Sequence, residues 1–166
     1  MDVETAYYQT PFGYEPGHVV MPGQWGRALL AVGAHENLTR QELTIEYARR
    51  LFAPERPSRF DCVFVFPTKY AATGWDSLPG DPQPERYVYR VTYDSALLTY
   101  TASLDLLDQI WHQHSLQGVD EALVAYWHSG ADSANPDRTE ILVAGPMEIA
   151  GLEGTVPART PPVAAL

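Results

Sequence analysis

The sequence has one cysteine, few basic residues and no long apolar run. Because Cys62 is the only cysteine among 166 residues, neither an internal disulfide nor a zinc site built from cysteines can form. Lys and Arg number 11 against 21 Asp and Glu, which gives a formal net charge of −10. Nonspecific nucleic-acid binding depends on Lys and Arg contacts with phosphates, so this balance argues against an extended nucleic-acid surface and leaves only a local basic site open.

Export and membrane signals are missing as well. No apolar run approaches the ~18 residues that a membrane-spanning helix requires. The opening residues Met1 to Glu4 lack the basic and apolar regions of a signal peptide. We therefore expect a soluble, cytoplasmic protein.

Several catalytic and cofactor motifs are also absent. The chain has no Gly-x-Gly-x-x-Gly after a strand, no P-loop and no Gly-x-Ser-x-Gly. No spacing of His, Asp and Glu is typical of a zinc site, so we expect no metal. Dinucleotide binding of the doubly wound kind therefore has no support from motifs.

The composition that is present predicts one globular domain. Hydrophobic residues make up 45% of the chain and charged residues 19%. The length allows a sizeable core without disulfides. We predict a single domain over residues 1–153 and a loosely held, Pro-rich tail over residues 154–166.

Local patterns predict the first elements. Residues 4–10 are rich in aromatic and β-branched side chains and stop at Pro11, which predicts a strand. The Pro- and Gly-rich residues 11–26 predict a long loop, and residues 28–32 a short strand. Thr39 and Glu42 form a capping box that predicts a helix over residues 40–52. The apolar face predicted for this helix consists of Leu43, Tyr47 and Leu51, flanked by Ile45 and Ala48.

Later patterns predict a mixed fold. Residues 60–66 form an apolar run, and residues 86–93 alternate between Tyr or Val and polar side chains, so both predict strands. The remaining predicted elements are a short helix capped by Thr68, helices that begin after Ser103 and at Asp120, and strands at residues 141–143 and 147–149. This order predicts an α+β fold with a split, mostly antiparallel sheet and flanking helices.

Three segments resemble the ADP-ribosyltransferase superfamily, in particular its small bacterial and phage-type members. Residues 6–10, Ala-Tyr-Tyr-Gln-Thr, resemble the first strand, which bears a His or Arg that grips NAD. Residues 57–66, beginning Pro-Ser-Arg-Phe, resemble a strand that opens at a Ser or Thr and is followed by an aromatic residue and a helix, here residues 70–72. Residues 139–143, Thr-Glu-Ile-Leu-Val, resemble the strand that carries the catalytic Glu.

The resemblance implies a function and a site. NAD would lie across the split in the sheet, and the Glu140 carboxylate would hydrogen-bond the nicotinamide ribose and stabilise an oxocarbenium-like state as nicotinamide leaves. Such a carboxylate must be ionised, which requires donors or a cation such as Arg138, Arg59 or Arg27. The residues expected to contact NAD are Tyr8, Gln9, Arg27, Ser58, Arg59, Tyr70 and Trp75.

Two departures from the family pattern narrow this hypothesis. Tyr8 stands where many members have His or Arg, and a phenol cannot make the bidentate contact of a guanidinium. Arg138 stands two residues before Glu140, where arginine-specific members carry a second Glu or Gln, so an arginine acceptor is disfavoured. Without the resemblance, Tyr8 is also consistent with an ordinary strand aromatic, and Ser58-Arg59 with a simple strand start.

The leading hypothesis is transfer of ADP-ribose from NAD to a macromolecule, with a protein acceptor favoured slightly over nucleic acid. NAD hydrolysis and RNA 2′-phosphate transfer use the same kind of pocket, but the second needs a basic groove. The alternative from another class is an inactive binding protein that captures a partner or nucleotide, for instance in host–virus conflict.

Overall fold

The computed structural model describes residues 2–33, 36–74, 83–112, 115–130 and 135–159. The strands are β1 (Val3–Thr10), β2 (Val19–Val20), β3 (Val63–Val65), β4 (Arg86–Asp94), β5 (Thr99–Ser103), β6 (Thr139–Val143) and β7 (Met147–Val156). The helices are α1 (Gln24–Val32), α2 (Asn37–Phe52), α3 (Lys69–Gly74), α4 (Leu104–His112) and α5 (Leu116–His128), with a 3₁₀ turn at Pro136–Arg138. No described helix is long and apolar enough to cross a membrane.

The strands form two antiparallel sheets. The first has the order β1-β4-β7-β2 and the second the order β3-β6-β5. A bridge joins them, in which Tyr7 and Phe66 exchange backbone hydrogen bonds of 2.9 and 2.7 Å. The predicted α+β class with a split antiparallel sheet is therefore confirmed.

The second sheet lies between two apolar cores. Val63, Val65 and Val143 pack against side chains of the first sheet. On the opposite face, Leu142 and Ala102 pack with residues of α2, α4 and α5. Because side chains alternate along a strand, residue 140 points with Leu142 toward the helices.

Several predicted elements are confirmed. The first strand and β4 lie where the sequence predicts them, and Thr68 caps α3 by accepting a hydrogen bond from the Ala71 amide at 2.9 Å. Helix α5 begins four residues before Asp120, since Ser115 caps it through the Gly118 amide at 3.1 Å. Strand β3 is shorter than the predicted run of residues 60–66, and β5 was not predicted.

The strand predicted over residues 28–32 is wrong, because this segment is the second half of α1. The helix starts directly after Gly23, whose φ of 82° lies in the left-handed region that favours glycine. Gly26 then allows α1 to approach the backbone near β3, since a Cβ there would lie 2.3 Å from the Phe60 carbonyl oxygen. Helix α1 therefore also includes residues 24–26, which the sequence predicts as part of a loop.

The capping box predicted for α2 is also wrong, and its predicted apolar face points outward. The helix begins at Asn37, and the Thr39 hydroxyl donates to the Leu29 carbonyl oxygen at 3.3 Å instead of capping. Leu43, Tyr47 and Leu51 are 38%, 66% and 58% exposed. The buried residues of α2 are Thr39, Glu42, Ile45, Glu46 and Ala48. Helix α2 is rotated from its predicted orientation because its carboxylates pair with arginines on the inner side.

The predicted tail starts too early. Strand β7 continues to Val156, pairing Gly154 with Val88 of β4. Gln83 and Arg159 then exchange backbone hydrogen bonds of 3.0 and 2.9 Å. Residues 154–159 are therefore held by backbone pairing, and residues 160–166 lie outside the described part of the chain.

Candidate functional site

Glu140 is the second residue of β6 and is buried between the second sheet and the helices. Its side chain is 2% exposed. A buried carboxylate is stable only when it is paired and hydrogen-bonded, because its hydration is lost. The surrounding side chains supply these partners.

Arg59 connects Glu140 to a second buried carboxylate. Its Nη1 donates to Glu140 Oε1, while Nε and Nη2 donate to the two oxygens of Glu42 at 2.7 and 3.0 Å. Arg59 Nη1 also donates to the Tyr126 hydroxyl at 2.5 Å, and that hydroxyl donates to Glu140 Oε1 at 2.7 Å. We call these four residues, Glu42, Arg59, Tyr126 and Glu140, the buried quartet.

The charges of the buried quartet fix its donors. Burial opposes the charge of Arg59, but Glu140 and Glu42 hold the pKa of the guanidinium well above its usual range. Burial, reinforced by Glu140 and opposed by Arg59, raises the pKa of Tyr126 well above its ordinary value. Arg59 therefore stays a cation and Tyr126 stays a neutral donor.

The described hydrogen bonds of Glu140 involve only one of its two oxygens. Both hydrogen bonds from Arg59 and Tyr126 end at Oε1. Among the described residues, no side chain donates to Oε2. The carboxylate is thus held in one orientation with a second acceptor oxygen unused, although its slight exposure keeps access narrow.

Three arginines were candidates for the cation beside Glu140, and Arg59 is the one that pairs with it. Arg138 instead pairs with Asp105 and Asp108 of α4. Arg27 is exposed, and its Nη1 donates to the Pro22 carbonyl oxygen at 3.4 Å. The prediction that a cation accompanies Glu140 agrees with this geometry.

Ser58 does not position Glu140. Its hydroxyl donates to Glu46 Oε2 at 3.1 Å and accepts from the Phe60 amide at 3.2 Å. Burial would raise the pKa of Glu46, but Arg49 and Arg50 together with Ser58 lower it. The hydroxyl of Ser58, one of the residues expected to contact NAD, is therefore bound by Glu46.

Tyr8 of the first strand lies apart from Glu140. Tyr8 packs into the core between the two sheets, whereas Glu140 faces the helices, so the second sheet separates them. Burial, with a smaller opposing effect of the Thr10 hydrogen bond, raises the pKa of Tyr8 to about 12. The Gln9 amide donates to the Ala72 carbonyl oxygen at 2.7 Å and accepts from Arg86 at 3.2 Å. Tyr8, Ser58 and Glu140 therefore do not converge on one cleft.

Two other predicted NAD contacts lie at the surface. Arg27 lines a pocket of about 240 Å³ together with Gly23, Gly26 and Phe60. Phe60 follows Arg59 in the chain, so this pocket lies next to the backbone that carries the quartet's guanidinium. Tyr70 is exposed on α3. Trp75 lies outside the described residues.

Sequence reasoning missed Glu42 and Tyr126. Glu42 occurs in a Thr-x-x-Glu pattern, which is also the pattern of a capping box. Tyr126 precedes Trp127 in an apolar helix and carries no motif of its own. The burial of Arg59, which is 17 residues away from Glu42 in the chain, is what gives both residues their roles.

A family model matches most of the chain. The model of the family described as "Protein of unknown function (DUF2441)" matches residues 26–154. This match covers most of the chain, and the chain belongs to this family. No curated protein matches the sequence.

Proposed function

We propose that this member of the DUF2441 family is an NAD-dependent ADP-ribosyltransferase that moves ADP-ribose to a macromolecular acceptor and releases nicotinamide. The main support for the proposal is the geometry of the Glu140 carboxylate. Arg59 and Tyr126 donate to its Oε1, and no described side chain donates to its Oε2.

The arrangement of the three segments that resemble the superfamily supports the proposal. β1 is bridged to the strand region of β3 through Tyr7 and Phe66. β3 pairs with β6, the strand of Glu140, from Val63 to Val65. Segments far apart in the chain are therefore neighbours across the split in the sheet, where the resemblance places NAD.

The proposed chemistry uses Oε2 of Glu140. This oxygen accepts a hydrogen bond from a hydroxyl of the nicotinamide ribose and stabilises positive charge on the ribose as the bond to nicotinamide breaks. Nicotinamide leaves with the bonding electrons. A nucleophile of the acceptor then bonds to the same ribose carbon and gives up its proton. Arg59 pairs with Glu140, and Tyr126 fixes the orientation of its carboxylate.

The remaining proposed NAD contacts come from surface residues. In the proposal, Arg27 binds a phosphate of NAD at the pocket beside Phe60, and exposed Tyr70 stacks on an aromatic ring of NAD. The pocket of about 240 Å³ accommodates part of NAD only. No metal takes part in this scheme.

The charge of the chain bears on the acceptor. A net charge of −10 favours a protein acceptor over nucleic acid, and Arg138 before Glu140 disfavours an arginine side chain as the target. We place the reaction in the cytoplasm of the producing or host cell.

A second candidate function is supported by the burial of Glu140. Glu140 is 2% exposed, and one of its oxygens is bound by two side chains. A glutamate with a purely structural role has the same features. In that case the chain is a binding protein with the fold of a transferase but no catalysis. Tyr8 is partly buried against the core between the sheets, away from Glu140, and this position favours the alternative.

Labelled NAD and a cell lysate separate these functions. The variant is Glu140→Gln and the matched control is Glu42→Gln, because both remove one buried carboxylate from Arg59. Label on a macromolecule with wild type and with Glu42→Gln, but not with Glu140→Gln, supports the transferase. Free ADP-ribose alone indicates an NAD glycohydrolase, and absence of NAD binding in calorimetry eliminates all NAD-dependent functions.

A further inference from the structure

A second pocket, of about 430 Å³, lies between the turn after α2, the second sheet and the end of α5. Strand β5 is at the edge of that sheet, and its residues Thr99 to Thr101 line one wall. Arg56 and His128 also line the pocket, and its described lining residues include no carboxylate. On a chain with a net charge of −10, this local composition favours an anionic ligand.

Arg56 is held at this pocket by contacts that leave its guanidinium available. Its amide donates to the Ala53 carbonyl oxygen at 3.0 Å, and its carbonyl oxygen accepts from Arg49 Nη1 at 2.9 Å. Its guanidinium carbon lies 4.7 Å from the centroid of the Tyr100 ring. Glu55, which is 69% exposed, lies 3.6 Å from Nε, too far for a hydrogen bond. No described residue accepts a hydrogen bond from that nitrogen.

Tyr100 forms a rigid side of the pocket. Its hydroxyl donates to the Tyr126 carbonyl oxygen, and its ring stacks on Trp127 with the centroids 5.5 Å apart. The Ala125 carbonyl oxygen accepts from the Ser129 amide at 2.9 Å. Carbonyl groups at a helix end carry partial negative charge, which would repel an anion. Two of these carbonyl oxygens of α5 are therefore already paired.

The outer edge of β5 supplies backbone donors to the pocket. The Leu98 carbonyl oxygen accepts from the Ala144 amide at 2.9 Å, so the even-numbered residues of β5 bond to β6. The amides of Thr99 and Thr101 therefore point toward the outer edge, where the pocket lies. His128 adds an imidazole, which can donate a hydrogen bond in either charge state. A guanidinium, backbone amides and an imidazole are suitable donors to phosphate oxygens.

We propose that this pocket binds a small molecule that carries a phosphate group, with Arg56 as the main phosphate contact. A guanidinium can pair two of its N–H groups with two oxygens of one phosphate. The volume of about 430 Å³ also leaves room for the group that is esterified to the phosphate. The pocket shares no lining residue with the pocket beside Phe60, so this site is independent of the proposed NAD site.

Calorimetric titration of the full chain tests the site with three probes: inorganic phosphate, adenosine monophosphate and adenosine. The monophosphate is expected to bind and adenosine is not, because only the first carries a phosphate. Binding of inorganic phosphate as tight as that of the monophosphate identifies free phosphate as the ligand, and weaker binding identifies an ester. No binding of either phosphate compound overturns the proposal.

Variants locate the bound phosphate. Arg56→Gln is expected to raise the dissociation constant at least about tenfold, and His128→Gln, at an exposed position, about threefold. The matched control is Arg50→Gln, which removes an arginine that is 71% exposed and is expected to bind as wild type does. Arg27→Gln is also expected to retain binding, because Arg27 lines the other pocket. Binding that survives both Arg56→Gln and His128→Gln, or that is lost in Arg27→Gln, contradicts the proposed site.

Discussion

Arg59 holds two buried carboxylates with one guanidinium. Its planar guanidinium donates four hydrogen bonds: Nε and Nη2 donate to Glu42, and Nη1 donates to Glu140 and Tyr126. All four residues are buried, so loss of one partner leaves a buried charge or hydrogen-bonding group unpaired. Loss of Arg59 is therefore expected to lower the free energy of unfolding more than loss of an exposed charged residue does.

Replacing Arg59 by methionine tests this expectation. Arg59→Met leaves Glu42 and Glu140 buried without a cation, which is expected to lower the free energy of unfolding by about 3–5 kcal/mol. Urea denaturation measures the change. The control is Arg50→Met, which removes an exposed partner of Glu46 and is expected to cost less than ~1 kcal/mol. Equal costs for the two variants would mean that the quartet carries no special stability.

Ionisation of Tyr8 is expected to lower the stability of the folded protein at alkaline pH. Its pKa is raised from 10.0 to about 12 in the folded protein, so folding favours the neutral phenol. This contribution to stability is fully present below pH 10 and is lost as the pH rises from 10 to about 12. Tyr8→Phe, which cannot ionise, is expected to lose less stability than wild type across that interval, as measured by urea unfolding at each pH. Parallel curves for the two proteins would show that Tyr8 ionises as freely as in the unfolded chain.

The roles of individual residues were predictable only in part. Glu140 and Arg59 stand in recognisable segments, and the need for a cation beside a buried carboxylate follows from electrostatics. The roles of Glu42 and Tyr126 depend on contacts across 17 and 67 residues of chain from Arg59. No local pattern encodes such distances, so these two residues emerge only from the folded arrangement.

At the scale of elements, helix α2 shows where pattern reasoning failed. The usual rule turns leucines inward and glutamates outward. Here Glu42 and Glu46 point inward because Arg59 and Arg49 lie there, and three apolar side chains point outward as a result. Buried ion pairs can therefore set the orientation of a helix against its apolar pattern.

Helix α1 depends on one glycine. A Cβ at Gly26 would lie 2.3 Å from the Phe60 carbonyl oxygen and 2.9 Å from the Phe60 Cα. Gly26→Ala is therefore expected to push α1 from the backbone before β3 and to lower stability by about 1–3 kcal/mol, measured by thermal unfolding. Gly74→Ala is the control, because a Cβ there meets no atom within 4 Å. A neutral Gly26→Ala would show that α1 is not packed against Phe60.

At the scale of the whole molecule, the sequence predicted the architecture better than the orientation of its parts. Alternation in β4 and apolar runs in β3 and β6 were sufficient to predict an antiparallel α+β fold, because strand periodicity is a local property. Which faces of the two sheets pack against each other depends on how the sheets assemble, and local sequence patterns do not encode this. The separation of Tyr8 from Glu140 by the second sheet is the clearest example.

Binding of NAD is expected to stabilise the whole fold. A ligand that binds the folded state and not the unfolded state raises the unfolding temperature with its concentration. Thermal unfolding with increasing NAD is therefore expected to show a rising midpoint for wild type and a smaller rise for Arg27→Gln. A midpoint that is independent of NAD would contradict a site for this dinucleotide.

The most direct test of the central proposal is the rate at which nicotinamide is released from NAD in the presence of acceptor. Wild type is predicted to release it, and Glu140→Gln to do so about 10²–10³ times more slowly, since the carboxylate acts on charge that develops in the transition state. Glu42→Gln, folded to the same extent, is predicted to stay within about tenfold of wild type. Equal rates for Glu140→Gln and wild type, or no release by wild type, would contradict the assignment of Glu140 as the catalytic residue.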